Sequence, residues 1–203
     1  MARQLETRMK IINAIEKLLK TRNPDDIRVS EVCRLSGISR TTFYAYFEDV
    51  LSAIQWLWDD LCSCTLYRIN SELSWEEGHR AMLSGLASRS VFYQRVFVSK
   101  DYRSLFAYGY RKSLMRHIEN IERRLGRPLT EQELFELDYS VRALSAMTTK
   151  WAEEGMEPSV ESMTQLFSRF IPPFARTEAL PPRDAQQHAA GSGDSGAPQN
   201  PAP

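Results

Sequence analysis

The chain has 203 residues, and its 26 Lys and Arg are matched by 26 Asp and Glu. A net charge of zero excludes a uniformly basic nucleic-acid coat, so any nucleic-acid surface must be local. With 42% apolar and 26% charged residues the composition is globular, three cysteines (Cys33, Cys62, Cys64) point to free thiols in a reducing cytoplasm, and the sequence shows neither a signal peptide nor an apolar run of the ~18 residues that span a membrane.

Up to residue 175 glycine is scarce and no window alternates with the strand period, which predicts an all-α chain of about nine helices. Thr7 to Lys20 carries Ile11, Ile12, Ile15, Leu18 and Leu19 at helical spacing and stops before Asn23-Pro24. Ser30 is placed to cap a short helix ending at Gly37, and Ser39 to cap another through Phe47. Asp49 opens a long helix to about Leu73. Ser74 and Glu77 have capping-box form and open a helix to Ser88, and a short helix covers Val91 to Val98. Asp101 starts a long helix that ends at Gly126; Gly109 interrupts it, at about 1 kcal/mol relative to alanine, and predicts a kink. Thr130 and Glu133 form a second capping box whose helix ends at Gly155, and Pro158-Ser159 begins the last helix, terminated by Pro172-Pro173. From Arg176 on, the chain has no aromatic residue and five prolines (181, 182, 198, 201, 203), a composition that predicts a disordered tail. The predicted organisation is therefore 1–48, 49–175 and the tail 176–203.

Residues 28–47 read as a helix-turn-helix. Val32 and Leu35 form the apolar face of its first helix, and Gly37 supplies the positive φ of the turn. Phe43 and Phe47, four apart, take the buried face of the second, leaving Arg40, Thr41, Thr42, Tyr44 and Tyr46 outside. These side chains bond phosphates and base edges and include no acid. Arg28, Ser30 and Ser39 complete the expected DNA-binding set. Residues 1–47 hold nine Lys or Arg against five Asp or Glu, a local excess in a neutral chain.

The run G-I-S-R-T-T-F-Y-A-Y-F (37–47), preceded by an isoleucine-rich helix, resembles the N-terminal domain of the tetracycline-repressor (TetR) family of bacterial transcription regulators, over roughly residues 5–65. The resemblance implies a nine-helix homodimer whose first three helices enter the major groove of double-stranded operator DNA. The remaining helices would form an effector pocket and a dimer interface. In that frame Thr42, Tyr44 and Tyr46 match positions that touch DNA, and Arg40 and Thr41 match variable positions that set sequence choice. Phe43 and Phe47 match structural positions. One position departs: where the family often has a phosphate-binding lysine, this chain has Val50, behind Glu48 and Asp49. That loss implies weaker electrostatic affinity. The W-x-x-x-G of 151–155, with the aromatic helix after it, resembles one branch of the family and identifies no effector.

Two further patterns bear on assembly and ligand. Leu134, Leu137, Val141, Leu144, Thr148 and Trp151 step by three and four, as do Val160, Met163, Phe167, Phe170 and Phe174. Such seams pack either on their own domain or across a dimer as a four-helix bundle; the expected interface set is Leu137, Leu144, Trp151, Met163, Phe167 and Phe170. Trp56, Trp58, Phe92, Tyr93, Phe97, Tyr102, Phe106 and Tyr110 are rich in ring surface and poor in charge, which marks them as core or as the lining of an effector pocket. Cys62-x-Cys64 and the scattered His79, His117 and His188 do not make a metal set, and the acids Glu131, Glu133, Glu136 and Asp138 suit a helix N-terminus. No nucleophile–base pair or phosphate-binding glycine loop is present, so no enzyme and no cofactor is expected. The functional expectation is a ligand-responsive DNA-binding regulator, a repressor released by a small apolar or aromatic effector. The alternative is a helix-turn-helix protein that acts through a protein partner and has no small-molecule pocket.

Overall fold

The computed structural model describes residues 2–99 and 102–176, and of residues 2 and 102–106 the backbone alone. Asp101 and the predicted tail beyond Arg176 lie outside the described residues, as do the side chains of Tyr102 and Phe106. The described residues form nine α-helices: α1 Ala2–Leu19, α2 Val29–Ser36, α3 Arg40–Tyr44, α4 Val50–Cys64, α5 Trp75–Ser88, α6 Ser90–Phe97, α7 Tyr102–Leu125, α8 Glu131–Glu153 and α9 Val160–Ser168.

The N-terminal unit is built on one stripe. Ile11, Ile12, Ile15 and Leu19 of α1 are fully buried, each worth roughly 1.5–3 kcal/mol relative to exposure. They pack on Val32 and Cys33 of α2 and on Phe43 of α3. The α2–α3 turn depends on Gly37, at φ +70°, and on Ser39, whose Oγ accepts from the Thr42 N–H at 3.0 Å. The start of α2 differs from expectation. Arg28, not Ser30, precedes its first turn, and the Glu31 carboxylate accepts from the Arg28 N–H at 3.3 Å. Glu31 also accepts from Arg22 at 2.6 Å, and the Arg28 N–H bond chiefly holds its carboxyl below the usual range.

Several boundaries move from their predicted places. The third helix closes at Tyr44, so Tyr46 and Phe47 lie in the turn that leads to α4. The fourth ends at Cys64 rather than near Leu73. Thr65 leaves helical dihedrals, and Asn70 enters the left-handed region at φ +63°. A distant residue holds this bend: Asn120 Nδ2 on α7 donates to the carbonyls of Tyr67 (3.0 Å) and Ile69 (2.8 Å). No local pattern announces that capture. The seventh helix is continuous through Gly109, with no break there. The glycine serves packing instead, since a Cβ on it would lie 2.6 Å from Trp58 Nε1. The ninth helix stops at Ser168, ahead of the prolines.

In the C-terminal unit α5 packs on α9, α7 on α8 and α6 on α8. Helix α1 also packs on α4 and α6, and Arg89 pairs with Glu16 across that contact. The two units therefore share a side of α1 and the whole of α4.

Because nothing lies within 4 Å of a Cβ built on Gly37, replacing it tests backbone conformation alone. Gly37→Ala is expected to lower unfolding stability by about 1–2 kcal/mol, read as a shift in urea midpoint at constant slope. An unchanged midpoint would mean that the turn does not need its left-handed residue.

Candidate nucleic-acid interface and ligand cavity

The polar face of the helix-turn-helix is laid out by the burial of its opposite face. Phe43 is fully buried and Phe47 nearly so, which turns Arg40, Thr41 and Tyr44 to the outside; Tyr44 is 50% exposed. The Arg40 guanidinium lies 6.0 Å from the Tyr44 ring. Thr42 is half-buried, its hydroxyl 2.8 Å from Ser39 Oγ. Arg28, Ser30 and Ser39 are exposed around the same turn. Arg34 and Arg40 are exposed and enter no ion pair within 4 Å among the described residues, whereas Arg28 stands beside Glu31, whose carboxyl it helps to hold low.

Tyr46 stands apart from this group. It is half-buried beneath Arg8, whose guanidinium also lies 5.2 Å from the Trp56 ring. Trp56 in turn packs on Phe47, ring to ring at 6.0 Å. Trp56 therefore belongs to the junction of α1, α3 and α4 and does not line the cavity described below. Val50 is buried, and the N-terminus of α4 is capped by Asp49, whose carboxylate accepts from the Ser52 N–H at 2.7 Å. A phosphate approaching that helix end meets a carboxylate already there.

A cavity of about 70 Å³ lies between α4, α5, α6, α7 and α8. Of the residues predicted for it, Trp58, Tyr93, Phe97 and Tyr110 line it. Phe92 does not: it is fully buried in the core behind Tyr93. Sequence reasoning missed Trp75, His79, Ser113 and His117, which also line it. The signal was present in Trp75/His79 and Ser113/His117, two pairs spaced by four on helices, but the scattered histidines suggested nothing individually. Trp75 is stacked between the two imidazoles, 5.2 Å from His79 and 4.6 Å from His117. With the Asn70 amide oriented to satisfy both its atoms, its oxygen accepts from Trp75 Nε1 at 2.9 Å and its nitrogen donates to the Ala175 carbonyl at 3.1 Å. His79 Nδ1 donates to the Trp75 carbonyl at 2.9 Å. Burial pushes His79 down to about 4, and burial together with His79 pushes His117 down to about 3, so both rings are neutral at pH 7. Among the described residues no Asp, Glu, Lys or Arg lines the cavity.

Next to Trp58 on α4, Asp59 faces a different set of partners. Its carboxylate accepts from Tyr67 at 3.0 Å, Tyr108 at 2.7 Å and Lys112 at 2.7 Å. Against the cost of its own desolvation, Lys112 is held above its ordinary value by the bond to Asp59. Cys62 is buried, and that burial pushes its thiol up, away from the reactive thiolate. Among the described residues no group of three His, Cys, Asp or Glu is placed to hold a metal ion.

The predicted dimer residues also need correction. Leu137, Leu144, Trp151, Met163 and Phe167 are buried within their own chain; Leu144 lines the cavity, and Trp151 Nε1 donates to the Pro158 carbonyl at 2.7 Å. Of the six, Phe170 alone is exposed, at 65%. The apolar side chains left outside on α8 and α9 are Leu134, Phe135, Tyr139, Met147 and Leu166. Their period resembles that of the buried set, because both faces of these helices carry apolar residues.

No family model matches the chain. A curated relative, the HTH-type dhaKLM operon transcriptional activator DhaS of Lactococcus lactis subsp. lactis (strain IL1403), is 22% identical over 173 residues, which is 84% of this chain and 90% of that protein. Among solved structures, the dihydroxyacetone kinase operon activator DhaS superposes with a TM-score of 0.57 at 23% identity, over 81% of this chain and 91% of its own. A TetR-family transcriptional regulator from Streptomyces coelicolor gives 0.53 at 17% identity, over 81% and 78%. At these identities the likeness is one of fold. Both proteins are described as transcription regulators, not as enzymes.

The buried histidines make a pH prediction. In the unfolded chain each titrates near 6.5, and in the folded chain far lower, so the unfolded state takes up protons first as pH falls. Stability is expected to be full above about pH 6.5 and to decline from there toward pH 4. The test window is 6.5 to 5, above the range of the carboxylates, using urea midpoints. His117→Phe should flatten part of that slope; a slope equal to wild type would show that His117 is not the titrating group.

Proposed function

We propose that this chain, whose fold is that of the TetR-family transcription regulators, is a cytoplasmic, sequence-specific DNA-binding regulator that acts as a homodimer and responds to a small molecule in the α4–α8 cavity. The observation that carries this reading is the path of α4. Its Trp56 packs on Phe47, which packs in turn on Phe43 of α3, and Ile54 and Trp58 of the same helix line the cavity. A ligand that displaces Trp58 displaces the helix that reaches α3 through Phe47. Such coupling requires different ligand affinities in the two DNA-binding states, and it is reciprocal. The cavity favours this reading over action through a protein partner alone. The sequence resemblance implies repression released by the effector; the relative DhaS is named an activator, and that supports activation as the second reading.

The exposed apolar side chains of α8 and α9 supply the proposed dimer surface. Phe135 and Tyr139 lie one turn apart, as do Leu166 and Phe170, and a two-fold axis would bury each set against its copy. Phe167, being core, is the wrong residue to test. Phe135→Glu is expected to halve the mass seen by light scattering at micromolar concentration with far-UV circular dichroism unchanged. A monomeric wild type would overturn the dimer.

For DNA, selection of fragments from a random duplex pool by the purified protein should yield an inverted repeat, its half-sites one helical turn or a multiple apart. Tyr44→Ala should weaken binding to that repeat by about tenfold or more, the range of one good base contact, without loss of stability. Wild-type affinity should fall steeply with salt as counterions are released. Retained affinity in the variant, or a flat salt response, would remove α3 from the interface.

A further inference from the structure

The cavity wall is not uniformly apolar, and its polar groups are unusual in one respect. Several buried or half-buried helical hydroxyls in this protein, Thr148 of the wall among them, bond back to the carbonyl one turn earlier: Ser36 to Val32 (2.7 Å), Thr148 to Leu144 (2.9 Å), Thr164 to Val160 (2.8 Å) and Ser168 to Thr164 (3.0 Å), and buried Ser140 bonds the Phe170 carbonyl (3.1 Å). Ser113 does neither. It is buried, it lines the cavity, and it has no hydrogen-bond partner among the described residues. One turn along the same helix, His117 is likewise buried in the wall, and neither of its nitrogens has such a partner; Nδ1 is fully covered. A buried hydroxyl and a buried imidazole left without partners are both unfavourable, and a group that met the Ser113 hydroxyl and His117 Nε2 would relieve that cost.

We infer that Ser113 and His117 form the polar end of a ligand site whose occupant is an uncharged, mainly apolar molecule carrying one hydroxyl or carbonyl oxygen. This rests on the reading of the cavity as a ligand site. The oxygen accepts from, or donates to, the Ser113 hydroxyl and the neutral His117 ring, while the hydrocarbon part lies against Trp58, Tyr93 and Phe97. Charge is excluded by the wall itself. Its described residues offer no counter-ion, both histidines are held neutral, and Asp59 and Lys112 nearby neutralise each other outside it. An ion brought in would be buried unpaired, at a cost of several kcal/mol. The volume fits a compact molecule: at about 10–15 Å³ per water-sized occupant, 70 Å³ takes roughly five to seven heavy atoms without movement of the wall.

The test uses the full chain and three probes with one carbon ring and equal heavy-atom count: cyclopentanol, methylcyclopentane and cyclopentylammonium. Binding is measured by ligand-observed NMR, with the imidazole nitrogens of the ¹⁵N-histidine-labelled protein as the local readout. Cyclopentanol should bind most tightly and shift the His117 nitrogens, and the ammonium should not compete. Ser113→Ala, which removes one oxygen atom, should weaken cyclopentanol by about three- to tenfold and leave methylcyclopentane unchanged. A hydrocarbon that binds as well as the alcohol, an ammonium that competes, an indifferent Ser113→Ala, or no binding by any probe would overturn the inference. A parallel mobility-shift assay on the selected repeat separates it from the functional reading. Alcohol binding with this selectivity but no change in DNA affinity would uphold the site and sink its coupling to DNA.

Discussion

Three donors converge on the Asp59 carboxylate, and the register of α4 against α7 depends on them. Tyr67 comes from the bend after α4, and Tyr108 and Lys112 from successive turns of α7. A carboxylate with three partners cannot slide along α7 without losing several bonds at once. The cluster is partly exposed, so its worth is below that of a fully buried ion pair. Its effect is geometric: α4 is registered against α7, and Trp58, the neighbour of Asp59, is thereby set over the one residue of α7 that has no side chain. Gly109 and Asp59 are two halves of one contact. The glycine admits the indole, and the carboxylate keeps it from leaving.

That register places an uncharged chamber beside a charged clamp. Ion pairs of the described residues lie at the surface or at the edges of the helices, and the described residues of the chamber wall are all neutral. The two histidines fit this division, since burial costs less for a neutral imidazole than for a charged one. Most polar groups in the fold are paired, as capping boxes, helix back-bonds or carbonyl acceptors show. Ser113 and His117 break that rule inside a cavity, where a fold pays for an exception that a ligand can repair.

At the other end of α4 the charge distribution is reversed. Among the described residues Arg34 and Arg40 of the helix-turn-helix have no ion-pair partner, but the start of α4 is closed by Asp49 and by the burial of Val50. In the proposed reading phosphate contacts concentrate on the α2–α3 turn. The exposed polar face is narrower than the residue pattern suggests, because Tyr46 is drawn under Arg8 and toward Trp56.

The sequence by itself determined the helical class, the capping boxes at Ser74 and Thr130, the Gly37–Ser39 turn and the inward Phe43. All are local: a cap, a left-handed turn and an i,i+4 apolar pair act within one or two turns of chain. Tertiary structure alone decided which of two apolar faces on α8 and α9 would be buried, since periodicity marks a face without naming what covers it. It also decided that α4 would bend after Cys64, because the holding group is Asn120, some fifty residues away. The cavity was half legible: Trp58, Tyr93, Phe97 and Tyr110 were marked by their chemistry, whereas Trp56 and Phe92 share that chemistry and pack elsewhere. His79, Ser113 and His117 reach the wall only when α5 and α7 come together, and the meaning of Ser113 and His117 lies in bonds they do not make, which a sequence does not record.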